Sequence, residues 1–262
     1  MNKYSVPRYL YRITMKVLFV MLILAAASIR SVAQIKAAVA ANMKFAFEDI
    51  KTAFSKKTGY EVISVYGSSG RLVSQIRNGA PFDLFISADT GFIDSICVSG
   101  LNAGKPEIYA FGKLVLWTVK SMDLSRGVSL LADSSIRTVA FGDMKLTVYG
   151  PAARDCLKKV DLWDNVKDKA VYASNISHVA QFIVNGSADI GFCAKSIVLS
   201  KEMNGRGKWI EIDSTMYNSL PQSAVILKHG EKNHSEITHA LFDFLYSDDS
   251  RDILTSYGYK VP

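Results

Sequence analysis

From Ile35 onward, short apolar runs of strand character alternate with segments whose apolar residues recur at helical spacing, which restricts the chain to an α/β fold with largely parallel sheets. Ile35–Ala41 (IKAAVAA) reads as a strand. Met43, Ala46, Phe47, Ile50 and Phe54 then form the stripe of an amphipathic helix, with Asn42 at its N-cap position and Gly59 placed to end it. A strand at 62–66, a helix from about Ser69 to Asn78 closed by Gly79, and a strand at 84–87 complete a βαβαβ order. Further on, 108–118 is one long β-type run, 138–141 a strand and 149–160 a helix. Later strands are expected at 170–173, 190–194, 209–212 and 224–227, with helices near 177–185 and 235–246. There is no internal sequence repeat and no low-complexity linker.

Four strand-to-helix junctions share a chemical character: Ala41-Asn42, Gly67-Ser68-Ser69-Gly70, Thr147-Val148-Tyr149-Gly150 and Ser174-Asn175-Ile176-Ser177. Each is a short polar or glycine-bearing turn leading into a helix start, where unpaired N–H groups and the positive end of the helix dipole favour an anion. In α/β sheets such junctions gather at the carboxyl ends of the strands, where ligands bind. Any one of them alone is more simply a local cap. Their convergence is not readable from composition.

At 262 residues, with 49% hydrophobic and 21% charged, the chain is ordinary globular material, and disordered and fibrous classes are excluded. The net charge of +7 is concentrated at one end: Lys3, Arg8, Arg12, Lys16 and Arg30 precede Ala33 with no acidic residue among them. Beyond them 26 basic residues face 24 acidic ones, too small an excess to imply a nucleic-acid partner. The basic stretch, the apolar run Val17–Ala27 and Ser31-Val32-Ala33 fit a cleavable signal peptide over 1–33. The run is short of the ~20 residues a bilayer span needs. No cysteine follows it, so a lipid anchor has no attachment point.

Cys97, Cys156 and Cys193 lie in apolar segments without CxxC spacing and read as buried free thiols, a single internal disulfide staying open. Enzyme signatures fail. Arg71 stands where a G-x-S-x-G nucleophile elbow needs its last glycine, and Gly100–Lys105 has the wrong spacing for a phosphate loop. His178, His229, His234 and His239 contain no i, i+4 pair and read as solvated residues, with no zinc site among them. Asp89 reads as the cap of the helix that follows it.

Several stretches carry a family resemblance: AVAANM at 38–43, YGSSGRL at 66–72, QIRNGAPFDLFISAD at 75–89, YAFGKLVLW at 109–117, KLTVYGPAA at 145–153, ADIGFCAKS at 188–196 and SYGY at 256–259. From Ala38 to the C-terminus the chain resembles the substrate-binding proteins of molybdate ABC transporters, within the type II periplasmic binding protein superfamily. The resemblance implies a two-lobed Venus-flytrap of mostly parallel sheets flanked by helices, with 34–117 plus 222–262 as one lobe and 118–221 as the other. It implies one oxyanion, molybdate or tungstate, held by neutral hydrogen bonds, with no cofactor and no catalytic residue. The contacts carried over fall on Ala41, Asn42, Ser69, Tyr149 and Ile176, the same junctions that anion physics selects. Asn42 is expected to donate its side-chain amide, Ser69 its hydroxyl and N–H, Tyr149 its N–H, its phenol or both, and Ile176 its N–H.

One branch of the family has Ser in place of Asn42 and a contacting Tyr near Ala194, which here offers no donor. The branch with Asn at the first site and a Tyr-Gly pair at the third fits better. Lys195, if at the cleft rim, is a cation able to broaden selectivity, although a solvated lysine is the plainer reading. The implied partner is a membrane permease, and the implied state is a periplasmic monomer. Alternatives kept open are another tetrahedral oxyanion such as sulfate or phosphate, an organic ligand, and an exported hydrolase with Ser69 as nucleophile. The organic ligand lacks a buried Arg or Asp at the junctions, and the hydrolase lacks a base.

Overall fold

The computed structural model describes residues 34–262, and the segment read as a signal peptide, 1–33, lies outside the described residues. Ten strands follow in chain order: β1 Gln34–Ala40, β2 Glu61–Gly67, β3 Leu84–Ser87, β4 Asn102–Phe111, β5 Leu114–Thr118, β6 Val139–Gly142, β7 Ala170–Ala173, β8 Ile190–Ala194, β9 Lys208–Glu211 and β10 Pro221–Leu227. They build two five-stranded sheets, ordered β2-β1-β3-β10-β4 and β7-β6-β8-β5-β9. In the first, β1 runs parallel to β2 and β3, while β10 lies antiparallel to β3 and β4. The second repeats this plan, with β6 parallel to β7 and β8 and β5 antiparallel to β8 and β9. Both sheets are therefore mixed, each a parallel trio beside an antiparallel pair. The two lobes share a topology that no repeat in the sequence announces.

The trios form for the reason their sequences suggest. β1, β3, β6 and β8 are short runs buried along nearly their whole length, as strands covered by helices on both faces must be. The helix Lys44–Thr58 buries Phe47, Ile50 and Phe54 on one face of the first sheet and stops at Gly59, whose φ of +76° only a glycine adopts without strain. The helices Ser69–Arg77 and Thr90–Val98 cover the other face with Leu72, Ile76, Ile93 and Ile96. Asp89 caps the latter as expected, its side chain accepting the N–H groups of Gly91 and Phe92.

Two details differ from the sequence reading. The run 108–118 is two strands, because the chain leaves the first sheet at Gly112-Lys113 and β5 pairs with β8 and β9. The crossing thus falls five residues short of the boundary drawn after Trp117, and Trp117 belongs to the second sheet. A continuous apolar pattern carries no mark of a change of sheet. The return crossing leads into β10 beside the first, where the Gly112 N–H donates to the Leu220 carbonyl at 2.9 Å. The other difference is that Asn42 is not an N-cap: it sits inside a 3-10 turn, Ala41–Met43, and its side chain bonds elsewhere.

All three cysteines are free. Burial pushes the Cys156 thiol up to about 11 and the Cys193 thiol up to about 12, so both stay protonated and inert. Among the described residues, no helix is long and apolar enough to cross a membrane.

Candidate functional site

The carboxyl ends of β1, β2 and β3 in one lobe face those of β6 and β7 in the other, and every junction singled out in the sequence lies between them. One cavity there is lined by Ala41, Asn42, Ser69, Tyr149 and Ile176, joined by Ala40, Ser68, Ala88, Thr147 and Val148. All five residues selected from the sequence are brought together. The cavity measures about 10 Å³, close to the room one water needs, so the lobes are closed tightly on it. A wider hollow of about 350 Å³ lies beside the crossing strands, lined in part by Lys113 and Lys260, and another of about 280 Å³ opens between the lobes next to the cavity, sharing Thr147 and Val148 with it and bordered by Asp89 and Lys145. Unlike the cavity, both have charged side chains in their walls.

The lobes meet directly around the cavity. Ser177 donates its hydroxyl to the Ala41 carbonyl at 3.1 Å, and Ser196 donates to the Asn42 carbonyl at 2.8 Å. At the mouth, the Gly70 N–H donates to the Leu146 carbonyl at 3.2 Å. A side chain at Gly70 would press on the Leu146 backbone at 3.1 Å and on the Phe92 ring at 3.3 Å, so anything larger than glycine would push the two lobes apart by a few tenths of an ångström. In a trans peptide the carbonyl and the next N–H point in opposite directions. The two serines therefore fix the peptide planes that carry the Asn42 and Met43 N–H groups.

No lysine, arginine, histidine or carboxylate lines the cavity. What lines it is donors. Ser69 Oγ accepts the Ala88 N–H at 3.1 Å, which leaves its own hydrogen to give. Ser68 Oγ is buried with no hydrogen-bond partner, a state that costs about 1–3 kcal/mol and is relieved by a polar guest. The helices Ser69–Arg77, Tyr149–Lys159 and Ile176–Val184 begin at the wall, and their first-turn N–H groups have no intrahelical acceptor. Thr147, by contrast, is committed locally, donating to the Asp143 carbonyl at 2.9 Å and accepting the Gly150 N–H at 3.2 Å.

The roles of two residues differ from expectation. Asn42 spends both amide hydrogens away from the cavity, on Gln222 Oε1 at 2.7 Å and the Tyr259 hydroxyl at 2.8 Å. Gln222 in turn donates to the Ala88 carbonyl at 2.9 Å. Asn42 thus ties the first helix start to the crossing strand β10, and only its backbone N–H remains for a guest. The Tyr149 hydroxyl lies near Gly112 and Gln222, behind the cavity, without a hydrogen-bond partner. Burial pushes its phenol well above the ordinary range, the neighbouring Asn42 amide offsetting this in part, so no phenolate forms beside an anion. Ser68, Gln222, Ser196 and Tyr259 complete the arrangement. Ser68 was visible as part of the second turn; the other three come from distant segments and leave no local signal.

Lys195 lies away from the cavity lining, paired with Glu211 at 2.6 Å in a cluster that also holds Lys113 at 2.7 Å. Ala194 is wholly buried and does not line the cavity. The histidines are not all solvated residues: His229 and His234 both turn onto Asp83, at the opposite end of β3.

Two α/β lobes joined by crossing strands and closed around a small neutral cavity of helix starts define a two-lobed solute-binding protein. Residues 35–260 match the family described as bacterial extracellular solute-binding protein, and the chain belongs to that family. It is similar to the molybdate-binding protein ModA of Azotobacter vinelandii, with 34% identity, covering 87% of this chain and 90% of that protein. ModA of Rhodobacter capsulatus is also 34% identical, covering 86% of this chain and 88% of the relative. The solved structure of the Azotobacter vinelandii periplasmic molybdate-binding protein superposes with a TM-score of 0.82 at 27% identity, covering 87% of this chain and 99% of that one.

Proposed function

We propose that this chain is the periplasmic component of an ABC importer, capturing molybdate or tungstate and presenting it to a membrane permease. The observation that carries the reading is the closure of both lobes on one cavity of about 10 Å³, walled by helix starts and hydroxyls and without a charged side chain. A tetrahedral dianion suits such a wall. Its four oxygens accept from the backbone of Asn42, Ser69, Tyr149 and Ile176 and from the hydroxyls of Ser68 and Ser69, and low local dielectric strengthens each bond. The likeness to two molybdate-binding relatives over most of their length supports the choice of ligand. An amino acid would bring an ammonium group, and no carboxylate lines the cavity to meet it.

Binding and closure are the whole task, with no catalytic step. Ser69 Oγ faces the Ala88 N–H and no histidine or lysine lines the cavity to act as its base, which argues against a hydrolase. Export rests on the signal peptide read over 1–33 and on the extracellular family. We take the lobes as 34–111 plus 221–262 and 113–220, following the sheets. Calorimetric titration of the protein lacking 1–33 tests the proposal. Molybdate and tungstate are expected to bind at submicromolar Kd and sulfate far more weakly. No heat with either metal oxyanion, together with clear binding of sulfate or phosphate, overturns the ligand.

A further inference from the structure

At the start of β3, Asp83 is buried, its side chain 1% exposed, and its Oδ2 accepts the Lys36 N–H at 2.7 Å. Its other oxygen, Oδ1, lies 2.7 Å from His229 Nδ1 and 2.9 Å from His234 Nδ1. The spacing of five residues puts two histidines on different faces of a regular helix, but the helix Lys228–Asn233 ends at His234, whose φ of −144° and ψ of 38° are not helical. That break swings the second ring back onto the first residue's partner. Gly230 makes the approach possible: a Cβ there would meet the Asp83 carbonyl oxygen at 2.6 Å and Asp83 Cα at 2.8 Å.

The equivalent place in the other lobe shows what the carboxylate requires. Asp189 precedes β8 as Asp83 precedes β3, and it also accepts backbone N–H groups from the start of the neighbouring parallel strand, those of Arg137 and Thr138 at 2.8 and 2.9 Å. There the counter-charge is the Lys120 ammonium. No lysine or arginine pairs with Asp83 among the described residues; two imidazole nitrogens stand in its place.

We propose that Asp83, His229 and His234 bind a divalent transition-metal cation of the zinc class. The three ligand atoms lie within 4.8 Å of one another. Zinc takes nitrogen and oxygen ligands at about 2.0–2.2 Å, so each imidazole needs to draw back from Asp83 by only about half an ångström. Both side chains are about one-third exposed, His229 on a six-residue helix and His234 just past its end. Neutral imidazoles bind through Nδ1, water fills the fourth position, and the Lys36 N–H orients the carboxylate from behind. Such a metal fastens β3 to the end of β10. It lies about 16 Å from Ala88 in the oxyanion cavity, on the pitch of an extended chain, so it acts on the lobe and not on the guest.

The test uses tag-free protein stripped of metal by a chelator and then titrated with zinc chloride. One zinc per chain with a Kd of micromolar or tighter is expected, with a rise in Tm. His229→Gln and His234→Gln are each expected to weaken zinc at least ~10-fold while His239→Gln leaves it unchanged. A cobalt(II) titration of the unaltered protein covers the case in which a variant fails to fold. Intense four-coordinate visible bands, displaced by zinc, support the site. Zinc affinity equal in the wild type and in folded His229 and His234 variants, or a cobalt spectrum no different from the free aqueous ion, overturns it.

Discussion

Asp83 and Asp189 stand at matching points of the two lobes, each at the start of the third strand of a parallel trio and each clamped by backbone N–H groups of the next strand. They differ in what neutralises them. Burial alone would raise the Asp189 carboxyl, yet the Lys120 ammonium and the N–H groups of Thr138 and Arg137 overcome it and hold the group down at about 2. Asp83 meets two imidazole nitrogens instead. The fold thus specifies a buried carboxylate and leaves its partner free to vary. One lobe is closed with a lysine ammonium and the other with two imidazoles.

The largest effect should come from deleting either carboxylate. Asp189→Ala leaves two buried N–H groups and Lys120 unpaired, and should cost about 4 kcal/mol in urea unfolding. Asp83→Ala strands one N–H and should cost about 3 kcal/mol without zinc, oxyanion affinity staying the same. If the two losses are equal in metal-free protein, the distinction between the lobes fails.

Acid should separate them next. Because the Asp189 value of about 2 lies below the ordinary 3.8, its contribution is full above about pH 4 and is lost as pH falls towards 2. Comparing unfolding of wild type and Asp189→Asn from pH 6 to pH 2.5 should show a difference that shrinks by up to about 2 kcal/mol. A smaller effect belongs to the cavity. Ser69→Ala removes one donor and should weaken molybdate binding ~10-fold, about 1.5 kcal/mol, and because it also strands the Ala88 N–H it should lower Tm in the ligand-free protein. Calorimetry and a melting curve check both halves. The smallest effect sharpens the comparison most: His234→Lys puts the second lobe's ammonium into the first, and should leave stability within about 1 kcal/mol while abolishing zinc binding.

Much of the architecture was legible in the sequence because burial on both faces writes strands such as Leu84–Ser87 and Ile190–Ala194 as unbroken apolar runs. The helix starts were legible because glycine and serine mark them. The change of sheet at Gly112 was not, since the apolar pattern is the same on either side of it. Asn42 looked like a cap because residue type reports the capacity to hydrogen-bond and not the direction. Its partners Gln222 and Tyr259 lie 180 and 217 residues away. Asp83 and its imidazoles are separated by 146 and 151 residues, and only a helix that breaks at His234 unites them.

The backbone bond from Gly70 to Leu146 has a consequence for traffic through the cleft. A latch made of main chain cannot swing aside as a rotamer does. Escape of the captured ion therefore waits on a whole lobe swinging away, and its dwell time is set by that rigid-body step. A docking partner that prises the lobes apart would govern discharge without ever touching the cargo.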